Sequence, residues 1–346
     1  MFVDVSEIKS FRKCHRQWQL SSRNSFHMTA CVPPKAFHIG TVFHECLHRM
    51  YLGKDEEFIM NYIDEQMEHD DPKDKAMIIS MMRGYMRNVM PQDKHFNVMD
   101  IEWHFKYNPI ELLDEQGKLI AEQMGLVAQL KDITLAGSID MITLDTDTNE
   151  IWGFEHKTAK NFRNDTYLWM DEQPRVYFAA LQQWVKDYNA RQYNEWNLTC
   201  MKLHDDYAKL DPKGIAFNRE YPAPPEPVTL GGCYLNEVRK LVRAFDYKRS
   251  PLKYPPDDLR NFLLSFATSC AECHKYVDNP NYPRNPEPDM MTCMNCMFNT
   301  ICQTFQYQNL TEDKVLNEFN LEFEKRTNDH LEEKVEVDKA GATQSK

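Results

Sequence analysis

G-S-I-D-M-I (residues 137–142), I-W-G-F-E-H-K (151–157) and D-E-Q-P-R-V-Y (171–177) are the stretches that decide the fold of this chain. The first two are rich in apolar and β-branched residues, which favour strands. The polar run 145–149 lies between them and is typical turn material. The sequence therefore predicts a β-hairpin that is followed by a third element.

The predicted hairpin brings charged side chains together. With the loop centred between Asp147 and Thr148, Asp140 lies opposite Glu155. Facing residues of an antiparallel pair hold their Cβ atoms about 4.5–5.5 Å apart. Lys157 lies on the same face as Glu155, because side chains alternate along a strand. We therefore expect two carboxylates and one ammonium group on one face of a sheet.

This set of side chains suits metal-dependent hydrolysis of a phosphodiester. A hard cation such as Mg²⁺ binds through one or two carboxylates and substrate phosphate oxygens. It acidifies a bound water and neutralises charge on the phosphorus oxygens, and a lysine can stabilise the transition state. A surface hairpin with a solvated aspartate and an ordinary Glu–Lys pair also fits these residues, since short motifs often match by chance.

The third stretch favours the hydrolase interpretation. Gln173 and Tyr177 are four residues apart, so they share a face if the stretch is helical. The ordered block G-x-I-D, E-x-K, Q-x-x-x-Y resembles the RecB-like branch of the PD-(D/E)xK nucleases. An upstream G-x-x-x-H element, Gly40 and His44, resembles the N-terminal helix motif of the same branch.

This resemblance implies a fold, an activity and a set of site residues. The implied fold is α/β, a restriction-endonuclease-like core with a mixed central sheet. The implied activity is that of a Mg²⁺- or Mn²⁺-dependent deoxyribonuclease, an exonuclease on DNA ends or single strands, with a helicase or recombination protein as partner. The implied residues are Asp140, Glu155 and Lys157 for catalysis, His44, Asp140, Glu155 and the carbonyl of His156 for the metal, and Gln173 and Tyr177 for DNA.

Two alternatives from other classes compete with a nuclease. A non-catalytic DNA-binding or scaffold subunit would share the fold, but the intact acidic pair and lysine argue against it. The run from His44 to His48 matches H-E-x-x-H, in which two histidines bind zinc and the glutamate acts as the base of a metalloprotease. No further protease ligand motif such as H-x-x-G-x-x-H follows, so we favour the nuclease.

The cysteine spacing indicates a second metal centre. Cys293, Cys296 and Cys302 lie close together near the C-terminal end, and Cys14 lies in the first predicted helix. Fe–S clusters are bound by four cysteine thiolates. This layout resembles the iron–sulfur nucleases of CRISPR adaptation and AddAB-type recombination, and the resemblance implies a [4Fe-4S] cluster that joins the helical N- and C-terminal segments.

A zinc ribbon is the competing assignment for two of these cysteines. Cys270-x-x-Cys273 and Cys293-x-x-Cys296 together have the spacing of a site in which four thiolates bind Zn²⁺. The zinc site leaves Cys302 and the context of Cys14 unexplained, so we favour the cluster.

Composition and charge set broader bounds. The chain has 346 residues, 42% of them hydrophobic, and a net charge of −12, which argues weakly against nucleic acid. Arg12, Lys13 and Arg16 nevertheless form a basic cluster that could contact phosphates or could be an ordinary solvated helix face. No apolar run reaches the roughly 20 residues of a membrane span, and no signal peptide is evident. We expect a soluble, cytoplasmic protein whose ten cysteines serve as metal ligands or free thiols.

The pattern along the chain predicts four segments. Residues 1–95 form a helical segment with Cys14 and His44, 96–230 the nuclease core, 231–310 a helical segment with the cysteine group, and 311–346 a charged, partly disordered tail. Within them we predict helices over 5–20, 41–52 and 235–247 and strands over 98–107, 126–130 and 198–203. The expected order of the core is αβββαβ.

Overall fold

The computed structural model describes residues 1–31, 35–210, 220–242, 244–277, 290–305 and 310–326. These residues form an α/β fold around a six-stranded mixed sheet. Its strands are β1 (Phe2–Val3), β3 (Phe96–Tyr107), β4 (Thr134–Asp145), β5 (Glu150–Ala159), β6 (Thr229–Arg239) and β7 (Tyr247–Leu252). Two further strands, β2 (Met28–Ala30) and β8 (Phe323–Lys325), pair with each other in a separate sheet. The predicted α/β class with a mixed central sheet is confirmed.

Helices cover both faces of the sheet. They are α1 (Val5–Lys13), α2 (His15–Ser21), α3 (Lys35–Tyr51), α4 (Glu56–Gln66), α5 (Pro72–Asn88), α6 (Glu115–Gln123), α7 (Leu126–Leu130), α8 (Asp165–Met170), α9 (Glu172–Leu210), α10 (Pro256–Tyr276), α11 (Met290–Met294), α12 (Asn299–Phe305) and α13 (Glu312–Phe319). One hydrophobic cluster joins α1, α9 and α10 to the sheet, and a second, methionine-rich cluster joins α3, α4 and α5 to it. Among the described residues, no helix is long and apolar enough to cross a membrane.

The hairpin of β4 and β5 has the predicted register over its turn-proximal half. Asp145 pairs with Glu150 and Met141 with Phe154, which places the centre of the loop between Asp147 and Thr148. The ladder between β4 and β5 ends at Met141, whereas β5 pairs in parallel with β6 along its whole length. Strand β1 pairs with the beginning of β4, at Thr134 and Leu135. We call the point where β4 and β5 separate, just before Met141, the fork.

A glycine just before the fork is required by close packing. A Cβ built on Gly137 would lie 2.5 Å from Cζ of Phe105, the aromatic residue paired with it on β3. Real Cβ atoms do not approach other heavy atoms so closely, so any larger residue would push the ring or the strand aside. The glycine of the G-x-I-D block thus lets β3 pack tightly against the strand that carries Asp140.

Four predictions of local structure are wrong. Residues 126–130 form the short helix α7, residues 198–203 lie inside α9, and residues 235–247 contain parts of β6 and β7 rather than a helix. Short apolar runs do not distinguish a buried strand from a helical turn, and tertiary pairing decided each case. The predicted helix over 5–20 is broken into α1 and α2 at Cys14, whose backbone is extended (φ −163°, ψ 114°).

The predicted αβββαβ order is met in outline only. Helix α3, strands β3, β4 and β5, helix α9 and strand β6 occur in this order along the chain with other helices between them, but the final strand is β6 instead of the one predicted at 198–203. The helix predicted over 41–52 is part of α3, and the strand predicted over 98–107 is β3. The tail predicted to be disordered from about residue 327 lies outside the described residues.

Candidate active site

Three elements bring the predicted site residues together at the fork. Strand β4 carries Asp140, strand β5 carries Glu155 and Lys157, and helix α3 carries His44. Strands β4 and β5 are hydrogen-bonded to each other only from Met141 to the turn. On the N-terminal side of Met141, space opens between the two strands. The acidic residues of the motif lie on the two edges of that space.

Asp140 bridges the fork with its side chain. Its Oδ2 accepts a hydrogen bond of 2.6 Å from the backbone N–H of His156 on β5. Its Oδ1 lies 3.7 Å from Nδ1 of His44. A carboxylate that accepts a backbone N–H is fixed in direction, so one oxygen of Asp140 is held by β5 and the other faces α3.

Glu155 is buried and has one oxygen already occupied. Glu155 is only 6% exposed to solvent. Its Oε1 accepts a hydrogen bond of 3.0 Å from Nε2 of Gln173 and is also paired with Nζ of Lys157. Its Oε2 has no hydrogen-bond partner among the described residues. A buried carboxylate oxygen without a partner is costly, so this oxygen is a candidate ligand atom for the site.

Burial and neighbouring charges shift the pKa values of this site. Burial raises the pKa of Glu155 to about 7, and the charge of Asp140 adds to the effect while Lys157 opposes it. For Lys157, burial acts to lower the pKa, but attraction to Glu155 and Asp140 outweighs it and the pKa is raised. Burial and then the charge of Lys157 lower the pKa of His44, which favours its neutral form. A neutral imidazole is the form that binds a metal ion.

These residues fit a divalent cation of the Mg²⁺ or Mn²⁺ type. Glu155 offers Oε2, Asp140 directs Oδ1 towards His44, and His44 offers its neutral ring. The donor set is one imidazole and two carboxylates, with waters or phosphate oxygens left to complete the coordination shell. Within the described ranges, no three His, Cys, Asp or Glu side chains are already grouped so that they could hold a metal ion, so these donors would have to move together around a cation.

His156 is held from behind by a buried polar network. His156 is only 4% exposed, and Nδ1 of its ring lies 3.4 Å from Nδ2 of Asn236 on β6. Oδ1 of Asn236 accepts from Nε of Arg249, and Arg249 makes two bonds of 2.6 and 3.0 Å to Asp93. Asp93 also accepts from the Tyr51 hydroxyl. Burial lowers the pKa of His156 well below its usual value, so its ring is neutral. The network fixes the β5 backbone at the position whose carbonyl the resemblance assigns to the metal.

Sequence reasoning missed this network for two reasons. Its members come from positions 51, 93, 156, 236 and 249 and share no local spacing. Asn236 also fell in a stretch that was predicted to be helical. Reading residues 229–239 as a buried strand beside β5 would have placed Asn236 opposite His156, where the pairing register puts it.

Gln173 and Tyr177, predicted to contact DNA, make internal contacts. Gln173 donates to Glu155 and to the hydroxyl of Tyr177, the latter at 2.7 Å. Tyr177 is buried at 8% exposure. As predicted from their spacing, both lie at the beginning of a helix, α9, on one face. Their contacts indicate that they orient the Glu155 carboxylate. A direct contact of Gln173 with DNA stays a prediction.

The basic cluster of the first helices is engaged within the protein. Arg12 pairs with Glu172 and donates to Ser269 at 2.8 Å, and Arg16 is buried. Lys13 is exposed at the end of α1. A contact of Arg12, Lys13 or Arg16 with DNA phosphates stays a prediction.

The cysteines assigned to a cluster lie where the two ends of the chain meet. The pKa of the Cys296 thiol is raised by burial, and Cys14 and Cys293 act on it in the same direction, so both lie within electrostatic range of Cys296. Among the described residues, these cysteines do not form a group that could already hold a metal ion. Cys302 lies on α12. Cys270 and Cys273, required by the zinc alternative, are buried in the hydrophobic core on α10, and burial raises the pKa of both thiols. Zinc and Fe–S sites both require thiolates, and burial raises the pKa of Cys296 as well, so these shifts oppose both assignments rather than the zinc site alone.

The H-E-x-x-H run does not form a protease centre. His44 and His48 both line the pocket beside Asp140, but Glu45 is paired with Arg49 instead. A metalloprotease needs that glutamate beside the metal as a base. The carboxylate of Glu45 is therefore engaged away from the place where the protease reaction would require it.

Cation affinity should depend on pH. Because the pKa of Glu155 is about 7, its carboxyl is protonated below that pH and cannot bind a cation until the proton leaves. One coupled proton makes the affinity for Mn²⁺ rise about tenfold between pH 6 and pH 8 and level off above it. Isothermal titration calorimetry in buffers of different ionisation enthalpy measures both the affinity and the released proton. A Glu155→Gln variant should lose this dependence; an unchanged slope in that variant would assign the proton to another group.

Gln173 should act through Glu155. Replacing Gln173 with alanine removes the donor to Oε1 and leaves the carboxylate free to rotate, so Mn²⁺ affinity should fall about 10- to 100-fold. Tyr177→Phe should have a smaller effect, because the hydroxyl reaches Glu155 only through Gln173. Gln183→Ala on the same helix is the matched control, since Gln183 donates to the carbonyl of Glu111 instead. Unchanged cation affinity in Gln173→Ala, with weaker DNA binding, would restore the DNA-contact role.

Comparison with known proteins agrees with this geometry. No curated protein matches the chain significantly. The family profile of the PD-(D/E)XK nuclease superfamily matches residues 4–303, which include all of α3, β3, β4, β5 and α9. A match over most of the chain, together with the acidic pair and lysine at the fork, establishes that this protein belongs to the PD-(D/E)XK nuclease superfamily.

Proposed function

We propose that this protein is a Mg²⁺- or Mn²⁺-dependent DNA nuclease that acts as an exonuclease on DNA ends or single strands, in the manner of the RecB-like branch. The observation that carries the proposal is the convergence of Asp140, Glu155 and Lys157 at the fork, with His44 facing Asp140. Membership of the nuclease superfamily supports the reaction class. The exonuclease mode and a helicase or recombination partner rest on the family resemblance alone, and a cytoplasmic location rests on the sequence pattern alone.

The chain's own residues prepare the site for hydrolysis. Asp140 is fixed by the amide of His156 and Glu155 by Gln173, so both carboxylates keep their positions when a substrate arrives. A bound divalent cation supplies an acidified water and neutralises negative charge on the scissile phosphate. Preorganised groups of this kind need not rearrange during the reaction, which is the main source of their catalytic effect.

Lys157 contributes a second positive charge at the same place. Its ammonium group is paired with Glu155 and its pKa is raised, so it stays protonated at neutral pH. Once a cation shares the charge of Glu155, the ammonium group can turn to the attacking water or to a non-bridging phosphate oxygen. There it stabilises the pentacovalent transition state.

We also propose a [4Fe-4S] cluster bound by Cys14, Cys293, Cys296 and Cys302. The support is the family resemblance of the cysteine spacing, the electrostatic influence of Cys14 and Cys293 on Cys296, and the hydrophobic packing of segments from both ends of the chain beside them. Strands β2 and β8 pair beside this group, and Leu20 of α2 shares a hydrophobic cluster with Phe298 and Ile301. A cluster here closes a long loop and so restricts the unfolded chain.

The nuclease proposal is tested by cleavage of linear and closed-circular single-stranded DNA in Mg²⁺ and in Mn²⁺. Asp140→Asn, Glu155→Gln and Lys157→Ala should each lower cleavage of linear DNA by at least about 100-fold, because each removes a group that stabilises the transition state. Asp147→Asn, in the turn of the same hairpin, is the matched control and should cleave normally. Cleavage of closed circles would replace the exonuclease with an endonuclease. Full activity in all three site variants would refute the assignment.

The cluster is tested by visible absorption and iron content of anaerobically purified protein. Wild-type protein should be brown, and Cys14→Ser should lose colour, iron and thermal stability together, since one serine removes a ligand that links the two chain ends. Cys200→Ser, on α9, is the matched control and should keep all three properties. Colourless wild-type protein that contains zinc would contradict the cluster and leave the nuclease proposal intact.

A further inference from the structure

We propose that the short helix α8 is a platform on which the bases of a single DNA strand stack. This assignment rests on the proposed nuclease function and narrows its substrate to DNA with unpaired bases. Helix α8 lies between β5, which carries Glu155 and Lys157, and α9, which carries Gln173. The chain therefore enters and leaves α8 next to the residues of the candidate active site.

Helix α8 presents large apolar side chains to solvent. Tyr167 is 70% exposed, Met170 54% and Trp169 38%, whereas Leu168 is buried in the core and anchors the helix. Tyr167 and Met170 are three residues apart and so are neighbours on one side of the helix, with Trp169 next to Met170. We call these three residues the α8 platform. A contiguous exposed apolar patch of this kind marks an interaction site.

Trp169 is supported from behind by a packed group of side chains. Its ring lies 5.1 Å from the ring of Tyr254, and its carbonyl accepts hydrogen bonds of 3.2 and 3.0 Å from the guanidinium of Arg175. That guanidinium lies 5.5 Å from the ring centre of Tyr254 and 5.2 Å from that of Phe262. A ring held in place before binding loses little conformational entropy when a base stacks on it.

Positive charge is concentrated around α8. Residues 157–163, which span the end of β5 and the turn to α8, contain three cations and no acidic residue, in a chain whose net charge is −12. Lys160 of this run is exposed. Lys248 of β7 reaches the same segment, where it donates to the carbonyl of Arg163 at 3.1 Å and pairs with Asp165. Lysine and arginine groups beside the platform suit the phosphates of a nucleic acid backbone.

Arg163 connects the platform to the active site. Its guanidinium lies 3.0 Å from Glu237 and 2.8 Å from Asp171, the C-cap residue of α8. Glu237 is the residue of β6 that pairs with Lys157 in the sheet, and Arg163 lies within electrostatic range of Lys157. Positive charge is therefore continuous from Lys157 to the beginning of α8. A strand whose phosphates follow these cations brings its bases to the platform.

The combination of exposed rings and cations favours a single strand as the occupant. The bases of a duplex are stacked and paired, whereas a single strand offers the faces of its bases to aromatic side chains, and such stacking tolerates any sequence. A partner protein or a second copy of the chain would also cover an apolar face. Neither accounts for the cations of residues 157–163 beside it, which are complementary in charge to phosphates.

The test measures binding of a fluorescent oligothymidylate to the full chain by anisotropy, without divalent cations, so that no cleavage occurs. Tyr167→Ala and Trp169→Ala should each weaken binding about 5- to 100-fold, because each removes a stacking surface. Tyr193→Ala is the matched control, since Tyr193 is 54% exposed on the distant part of α9, and it should bind as the wild type does. A blunt DNA hairpin of the same length should bind equally to all of these proteins.

Salt dependence separates the contacts with phosphates from those with bases. Lys160→Ala should lower the slope of log affinity against log salt concentration by about 0.7, the change expected for one phosphate contact on a single strand. Tyr167→Ala should lower the affinity and leave the slope unchanged. The high exposure of Tyr167 makes this variant independent of core packing, so it remains informative if thermal melting shows that Trp169→Ala is destabilised.

Three outcomes would decide against the platform. They are no binding of the oligonucleotide by wild-type protein, unchanged affinity in both aromatic variants, and an equal loss of hairpin binding. A wild-type dimer that Tyr167→Ala dissociates in sedimentation experiments, with DNA affinity unchanged, would instead make α8 an interface between copies. Single-strand binding that depends on Tyr167, without cleavage of any DNA in Mg²⁺ or Mn²⁺, would overturn the proposed nuclease while the platform stands.

Discussion

The hydrogen bond from the His156 amide to the Asp140 carboxylate is the contact on which the site depends. On the N-terminal side of Met141, strands β4 and β5 no longer share backbone hydrogen bonds. There the Asp140 side chain accepts a hydrogen bond from β5 in their place. A continuous ladder would bring the two strands to about 4.8 Å and leave no room for an ion between them. A complete separation would leave the carboxylates too far apart to share one. The side-chain bridge holds the strands at an intermediate spacing.

Maintaining this spacing requires a rigid support behind β5, which the buried polar network provides. Arg249 and Asp93 form a buried ion pair between residues 156 positions apart, and the guanidinium also lies 5.0 Å from the centre of the Phe154 ring. Breaking one member of such a pair typically costs about 3–5 kcal/mol, because the other charge remains buried. A group this costly to disturb has few alternative positions. The interior side of the active site is therefore rigid.

Local sequence rules correctly predicted those parts of the protein whose structure is determined by residues near in sequence. The register of the hairpin followed from its turn, and the grouping of Asp140, Glu155 and Lys157 followed from that register together with strand alternation. The failures were in segments whose structure is set by distant partners. Residues 229–239 became a strand because β5 offered a parallel edge, and α7 became helical where Leu126 and Leu130 pack into the hydrophobic core beside α10. The contact of Gln173 with Glu155 also required the relative position of α9 and β5, which no spacing within either element contains.

The pairing of β2 with β8 has a consequence for the order in which the protein is made. Met28 pairs with Lys325 and Ala30 with Phe323, so β2 cannot pair until the chain has been synthesised as far as β8. Chains emerge from the ribosome at about 5–20 residues per second, so β8 follows β2 by a time on the order of tens of seconds. The central sheet, complete by Leu252, can assemble during that time. The pairing of β2 with β8 is thus a step that follows the synthesis of the whole central sheet.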